Sequence, residues 1–188
     1  MELFQVTRFP ELLVSIIAKL DTAGIRYMLT GSAGMMVYTV PRLTRDVDLV
    51  IECEPADARR LVAQFGSEWY VDEAAVATAV RQRRSLSVIH KDTSFKADMI
   101  VRKDGEYRRQ EFGRRRQLHF GEIDMWVASA EDILISKLKW AANGDSALQL
   151  RDASWLASQT RDLDWDYLRL WAGRLGLEQA LEEVAPNA

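Results

Sequence analysis

The sequence predicts an α/β fold of the α+β kind: a mixed twisted sheet flanked by helices over residues 1–128, with a C-terminal helical portion over residues 129–188 packed on that core. Three observations carry this. The apolar run Ile25 to Leu29 meets Gly31-Ser32 and continues without proline to Val40, the pattern of a strand, a tight glycine turn and a helix start. In Asp46-Val47-Asp48-Leu49-Val50-Ile51 two carboxylates alternate with apolar residues before the run becomes wholly apolar, which reads as a second strand. From Ser129 onward, apolar residues recur at helical spacing.

Taken in order, Pro10 to Ala23 carries Leu12, Leu13, Ile16, Ile17 and Leu20 on one helical face, between an opening proline and Gly24. The strand Ile25 to Leu29 follows, then a helix closed by Pro41, then the loop Arg42-Leu43-Thr44-Arg45 that leads into the Asp46 strand. Pro55 to Phe65 reads as a helix capped by Gly66, and Asp72 to Arg84 as an Ala-rich helix whose closing arginines suit the helix dipole. Ser85 to Ile89 and Phe95 to Val101 form a hairpin, and Gly121 to Val127 another strand. Ser129-Ala130-Glu131-Asp132 caps a helix that runs to about Ala142. Ser146 to Gln159 and Trp165 to Leu175 are two more helices, with Trp155, Leu156, Trp165, Leu168 and Trp171 as packing residues, and the acidic end with Glu178, Glu182 and Glu183 reads as frayed.

Composition bounds the function. With 188 residues, 48% of them hydrophobic, the chain is long enough to bury a substantial core. A net charge of −3 excludes a molecule that binds nucleic acid through its overall charge, so any such surface is local. The single cysteine, Cys53, excludes an intramolecular disulfide and a Cys-rich zinc site, and reads as a packing residue. No basic segment precedes an apolar one at the N-terminus and Leu12 to Ala18 is too short to span a bilayer, so a cytoplasmic protein without membrane contact is expected.

Period-two geometry puts Asp46 and Asp48 on one strand face, where like charges repel unless a cation neutralises them. Beside them, the backbone N–H groups at the helix start and the Ser32 hydroxyl make a cradle for phosphate oxygens. Gly-Ser followed by Asp-x-Asp in an apolar strand resembles the signature of the nucleotidyltransferase superfamily of DNA polymerase beta and kanamycin nucleotidyltransferase. The Arg42, Thr44, Asp46, Asp48 spacing is similar to that of the minimal members of the family, the abortive-infection toxins of bacteria.

The resemblance implies a nucleotidyltransferase core, NTP as substrate held by Gly31 and Ser32, and two Mg²⁺ ions on Asp46 and Asp48. Arg42 and Arg45, which flank the carboxylates, read either as nucleotide contacts or as charge balance. Asp98, a carboxylate inside the apolar strand Phe95 to Val101, resembles the third acid. Such a group is costly unless paired, and it completes a metal-binding and proton-accepting cluster if its strand lies beside that of Asp46 and Asp48; an ion pair with a nearby arginine is the other reading.

Lys137 has Ile133, Leu134, Trp140 and Ala141 as its helical neighbours, so its ammonium emerges from an apolar face and calls for an anion. Lys137-Leu138 match a Lys-Leu pair that meets the triphosphate in the toxin-like subgroup, and loss of Lys137 is expected to weaken NTP binding at little cost in stability. Arg151-Asp152 matches the following basic-plus-acid segment, but Trp155 stands where that subgroup has a further acid.

Between Arg102 and His119, seven Lys or Arg face three acids with Tyr107 and Phe112 interleaved, which suits either a phosphate backbone or a solvated surface. His90 and His119 read as ordinary polar or core residues. The expectation is therefore transfer of NMP from an NTP to an acceptor hydroxyl, with an RNA end and an antitoxin protein as the partners that the toxin resemblance implies. Two other readings fit the same residues: a non-catalytic nucleotide- or protein-binding member of a toxin–antitoxin pair, and an enzyme that modifies a small antibiotic.

Overall fold

A computed structural model describes residues 2–40, 44, 46–120, 123–144 and 146–185, and all side chains among them except those of residues 2–8, 120 and 146. Seven strands, β1 (Arg26–Thr30), β2 (Asp46–Glu52), β3 (Trp69–Tyr70), β4 (Ser85–His90), β5 (Lys96–Val101), β6 (Arg116–Phe120) and β7 (Ile123–Val127), form one sheet in the order β3-β4-β5-β2-β1-β7-β6. The sheet is mixed: β2 runs antiparallel to β1 and parallel to β5, and β1 runs parallel to β7. The helices are α1 (Glu2–Thr22), α2 (Gly31–Met35), α3 (Ala58–Val62), α4 (Glu73–Gln82), α5 (Glu106–Gly113), α6 (Ala130–Ala142), α7 (Ser146–Gln159), α8 (Trp165–Leu175) and α9 (Glu178–Val184).

Alternation along the central strands separates two cores. Val47, Leu49 and Ile51 of β2 and Ala97, Met99 and Val101 of β5 pack with α1, α3 and α4 on one face. On the other face Met28 of β1 and Val50 of β2 pack against α6 to α9. Asp46, Asp48 and Asp98 belong by alternation to this second face. The helical portion thus covers the sheet beside Val50, and the acids lie at its margin.

Local chemistry sets the helix starts. The side chains of Asp72, Ser129 and Asp164 accept from Ala75 N–H (2.6 Å), Asp132 N–H (3.2 Å) and Tyr167 N–H (2.9 Å), which satisfies amides that a helix start leaves open. A buried polar knot then fastens α5, α6 and α8. Asp132, fully buried, accepts from the hydroxyls of Tyr167 (2.7 Å), Ser129 (2.8 Å) and Tyr107 (3.2 Å). Its neighbour Glu131 takes Arg114 at 3.2 Å and the Asp164 N–H at 3.2 Å, and the Arg114 guanidinium lies 3.9 Å from the centre of the Tyr167 ring.

Several elements differ from the sequence expectation. The first helix begins at Glu2, with Pro10 inside it: proline removes one backbone donor, but its fixed φ is helical, so the helix continues through. The helices expected over Ser32 to Val40 and Pro55 to Phe65 contract to the five-residue α2 and α3. The basic stretch contains a helix, α5, and an antiparallel strand, β6. The acidic end is the helix α9, because Leu177, Leu181 and Val184 form a buried stripe while the glutamates point outward. Among the described residues no helix is long and apolar enough to cross a membrane.

Candidate functional site

Register brings the three acids together. Asp48 on β2 is the Cα partner of Thr30 on β1 and of Asp98 on β5, and Asp46 is the partner of Lys96. Gly31 follows Thr30 in the left-handed region (φ +62°), and a Cβ there would collide with the Asp48 carboxylate, so only glycine lets the turn close against this side chain. Burial pushes the Asp48 carboxyl above the usual range and the Asp98 charge adds to this; Lys137 opposes, Asp46 pushes up again, and Lys96 opposes least.

The acids are nonetheless not assembled around a common point. Among the described residues no group of three or more His, Cys, Asp or Glu side chains is arranged to hold a metal ion. At Asp98, Ser87 of the adjacent β4 donates to Oδ1 at 2.5 Å and Lys96 donates to Oδ2 at 2.7 Å. The three acids thus form a face of aligned carboxylates whose third member is ion-paired, with Lys96 where the other reading of Asp98 expected an arginine. Asp46 and Asp48, adjacent on one strand face, are oxygen donors of the kind that could hold a hard divalent cation.

A second polar group meets the site from the helices. Lys137 of α6 donates to Ser32 Oγ at 3.0 Å and to Asp152 Oδ2 of α7 at 2.9 Å, with Lys137 4% and Asp152 0% exposed. An anion for Lys137 is thus supplied inside the fold, and because the pair is buried, loss of the lysine is expected to cost stability, contrary to the sequence expectation. The pair sits between the Gly31-Ser32 turn and the α6–α7 hairpin. Trp155, one turn beyond Asp152, is 38% exposed.

Arg42 and Arg45 lie outside the described residues. The basic stretch is largely used within the fold: Arg102 pairs with Glu52 (2.7 Å), Arg108 with Glu111 (2.6 Å) and Arg114 with Glu131, while Arg115 lies against the rings of Phe112 and Trp126. Lys103, Arg109 and Arg116 are exposed, and neutralising Arg114 and Arg115 would disturb packing as well as charge. His90 is buried against Trp69 and His119 is paired with Asp124 on the surface. Cys53 is buried, and burial, with Asp57 and Glu54 nearby, pushes its thiol up to about 11, as suits a packing residue.

Sequence reasoning missed Lys96 and passed over Asp152 as half of a motif. Both had a signal. Lys96 stands two residues before Asp98, the spacing that aligns Asp46 with Asp48, and Asp152 falls opposite Lys137 when two helices fold back across a short loop.

No family model and no curated protein matches the chain. Among solved structures, the crystal structure of an antigenic nucleotidyltransferase-like protein from Paracoccidioides brasiliensis is similar at a TM-score of 0.52 and 18% identity, over 92% of this chain and 91% of that one. JHP933 from Helicobacter pylori (TM-score 0.47, 17% identity, 96% and 88% covered) and the antibiotic-resistance factor ANT(2'')-Ia (TM-score 0.46, 14% identity, 99% and 92% covered) are also similar. The mixed seven-stranded sheet, the Gly-Ser turn packed on an Asp-x-Asp strand and the first of these likenesses agree: the chain has a nucleotidyltransferase fold.

Proposed function

We propose that the chain is a divalent-cation-dependent nucleotidyltransferase that moves NMP from an NTP to an acceptor hydroxyl. The observation that carries this reading is the acid face: Asp46 and Asp48 on β2, with Asp98 in register beside them and Gly31 packed on the Asp48 carboxylate. Asp46 and Asp48 would hold the cation, which when bound neutralises charge on the reacting phosphate. Gly31, Ser32 and Lys137 would hold the pyrophosphate that leaves. The lysine ammonium has three donors, of which Ser32 and Asp152 take two, and a third can meet a phosphate oxygen.

In the transfer, the acceptor oxygen forms a bond to the α-phosphorus and the bond to the bridging oxygen of pyrophosphate breaks. The hydroxyl proton passes to a carboxylate of the acid face, for which Asp98 is the candidate. Arg42 and Arg45 remain proposed nucleotide contacts on the strength of the sequence. With Arg102, Arg108, Arg114 and Arg115 engaged internally, an RNA end as acceptor and an antitoxin as partner rest chiefly on the toxin-like resemblance.

The test supplies α-labelled NTPs and Mg²⁺ together with total RNA, an aminoglycoside panel or candidate partner proteins. Label should enter one acceptor class with release of pyrophosphate, and Asp46→Asn/Asp48→Asn should abolish it. Transfer at the wild-type rate in that double variant overturns the reading, and the labelled class identifies the acceptor.

A further inference from the structure

We infer that Lys96 acts as the second cation of the acid face, so that the chain alone takes up one divalent ion where three acids would otherwise call for two. This rests on the proposed reading of Asp46 and Asp48 as a metal-binding pair. Three features of the sheet carry it. Lys96 is two residues from Asp98 on β5, hence on the same face, and is the Cα partner of Asp46 across the β2–β5 pairing, so its side chain starts between the two acids. Its ammonium lies 2.7 Å from Asp98 Oδ2. The other oxygen, Asp98 Oδ1, accepts from Ser87 at 2.5 Å, so both oxygens of the third acid have donors before any metal arrives.

Charge gives the same answer. Among the described residues of the face, three carboxylates less one ammonium leave two negative charges, which a single divalent ion on Asp46 and Asp48 balances. Lys137 does not alter the count, because Asp152 offsets it. A divalent ion on Asp98 would need the ammonium to leave, and would meet its repulsion for as long as Lys96 stays on that strand face. A lysine is suited to this place because its ammonium is a compact point charge on a flexible stem, able to sit where a cation would.

The experiment counts Mn²⁺ bound per full-length chain, without nucleotide, from the loss of the free-ion paramagnetic resonance signal. The wild-type protein should bind one Mn²⁺, and Asp98→Asn should still bind one, more weakly, because the face loses a negative charge and Lys96 loses its partner. Lys96→Met should bind two, with the second lost in Lys96→Met/Asp98→Asn, whereas Lys96→Arg, which keeps the charge, should bind one. Two ions on the wild-type chain, loss of the single ion in Asp98→Asn, or a count that stays at one in Lys96→Met each overturn the inference. If Asp46→Asn/Asp48→Asn leaves Mn²⁺ binding intact, the metal-site reading beneath it falls as well.

Discussion

Asp48 and Asp132 are both aspartates withdrawn from water on the same side of the sheet, and their surroundings treat them in opposite ways. Burial pushes both carboxyls above the usual range. At Asp132 every further influence pulls back: Tyr167, Ser129, Arg114 and Tyr107 all favour the charged form. At Asp48 the next influence, the charge of Asp98, pushes the same way, and Asp46 adds to it. A satisfied buried carboxylate ties helices together. A carboxylate left in deficit among other carboxylates stores repulsion that a bound cation would release.

The comparison is broken most severely by chemistry. Asp46→Asn or Asp48→Asn should lower nucleotidyl transfer on the order of 10³-fold or more, the scale of losing a group that stabilises transition-state charge, while circular dichroism stays unchanged. A rate within tenfold of wild type would make the acid face an ordinary surface. Next in size is Lys137→Met, which takes the ammonium from a buried ion pair: urea unfolding should show a loss of about 3–5 kcal/mol. Lys137→Met/Asp152→Leu should recover most of that stability while NTP affinity, measured by calorimetry, stays weak. Full recovery of affinity would mean that the pair only holds α6 to α7.

Tyr167→Phe sharpens the other side. It removes one of three hydroxyls on Asp132 and should cost about 1–3 kcal/mol, since a buried acceptor loses a partner, with transfer per folded molecule unchanged. The smallest effect is on stability at the acid face. Because the folded-state pKa of Asp48 is raised, its charge opposes folding at neutral pH, and that penalty fades as pH falls through the folded value toward the ordinary 3.8. In metal-free buffer Asp48→Asn should therefore melt higher than wild type at pH 7, and the gain should vanish in acid. A lower melting temperature for the variant at pH 7 would show that Asp48 is already neutralised.

The same contrast explains what could be read in advance. Asp46 and Asp48, and the strand bearing Asp98, were legible because alternation of carboxylate and apolar side chains is a local pattern, and Gly31-Ser32 because a turn is local too. That Asp98 lies beside Asp48 is a matter of strand order, which the residues of neither strand encode. α5 and β6 stayed hidden because Arg108, Arg114 and Arg115 look like solvent-facing charge until Glu111 and Phe112 of α5 itself, Glu131 of α6 and Trp126 of β7 close on them. The two ion pairs that matter most at the site, Lys96 with Asp98 and Lys137 with Asp152, were passed over for opposite reasons. The first is so close in sequence that alternation should have revealed it. The second needs a helix hairpin to close.

The claim at the centre is that the acid face, and not the Asp132 knot, is where metal and nucleotide meet. Melting temperature with saturating NTP, with and without Mg²⁺, tests it most directly, since a ligand at about 100 times its Kd adds about 2.7 kcal/mol of stability. The wild-type protein and Tyr167→Phe should each melt higher with NTP and Mg²⁺ together than with either alone, while Asp46→Asn/Asp48→Asn should show no such rise. An equal rise in that double variant, or none in the wild-type protein with any of the four NTPs, would contradict the account.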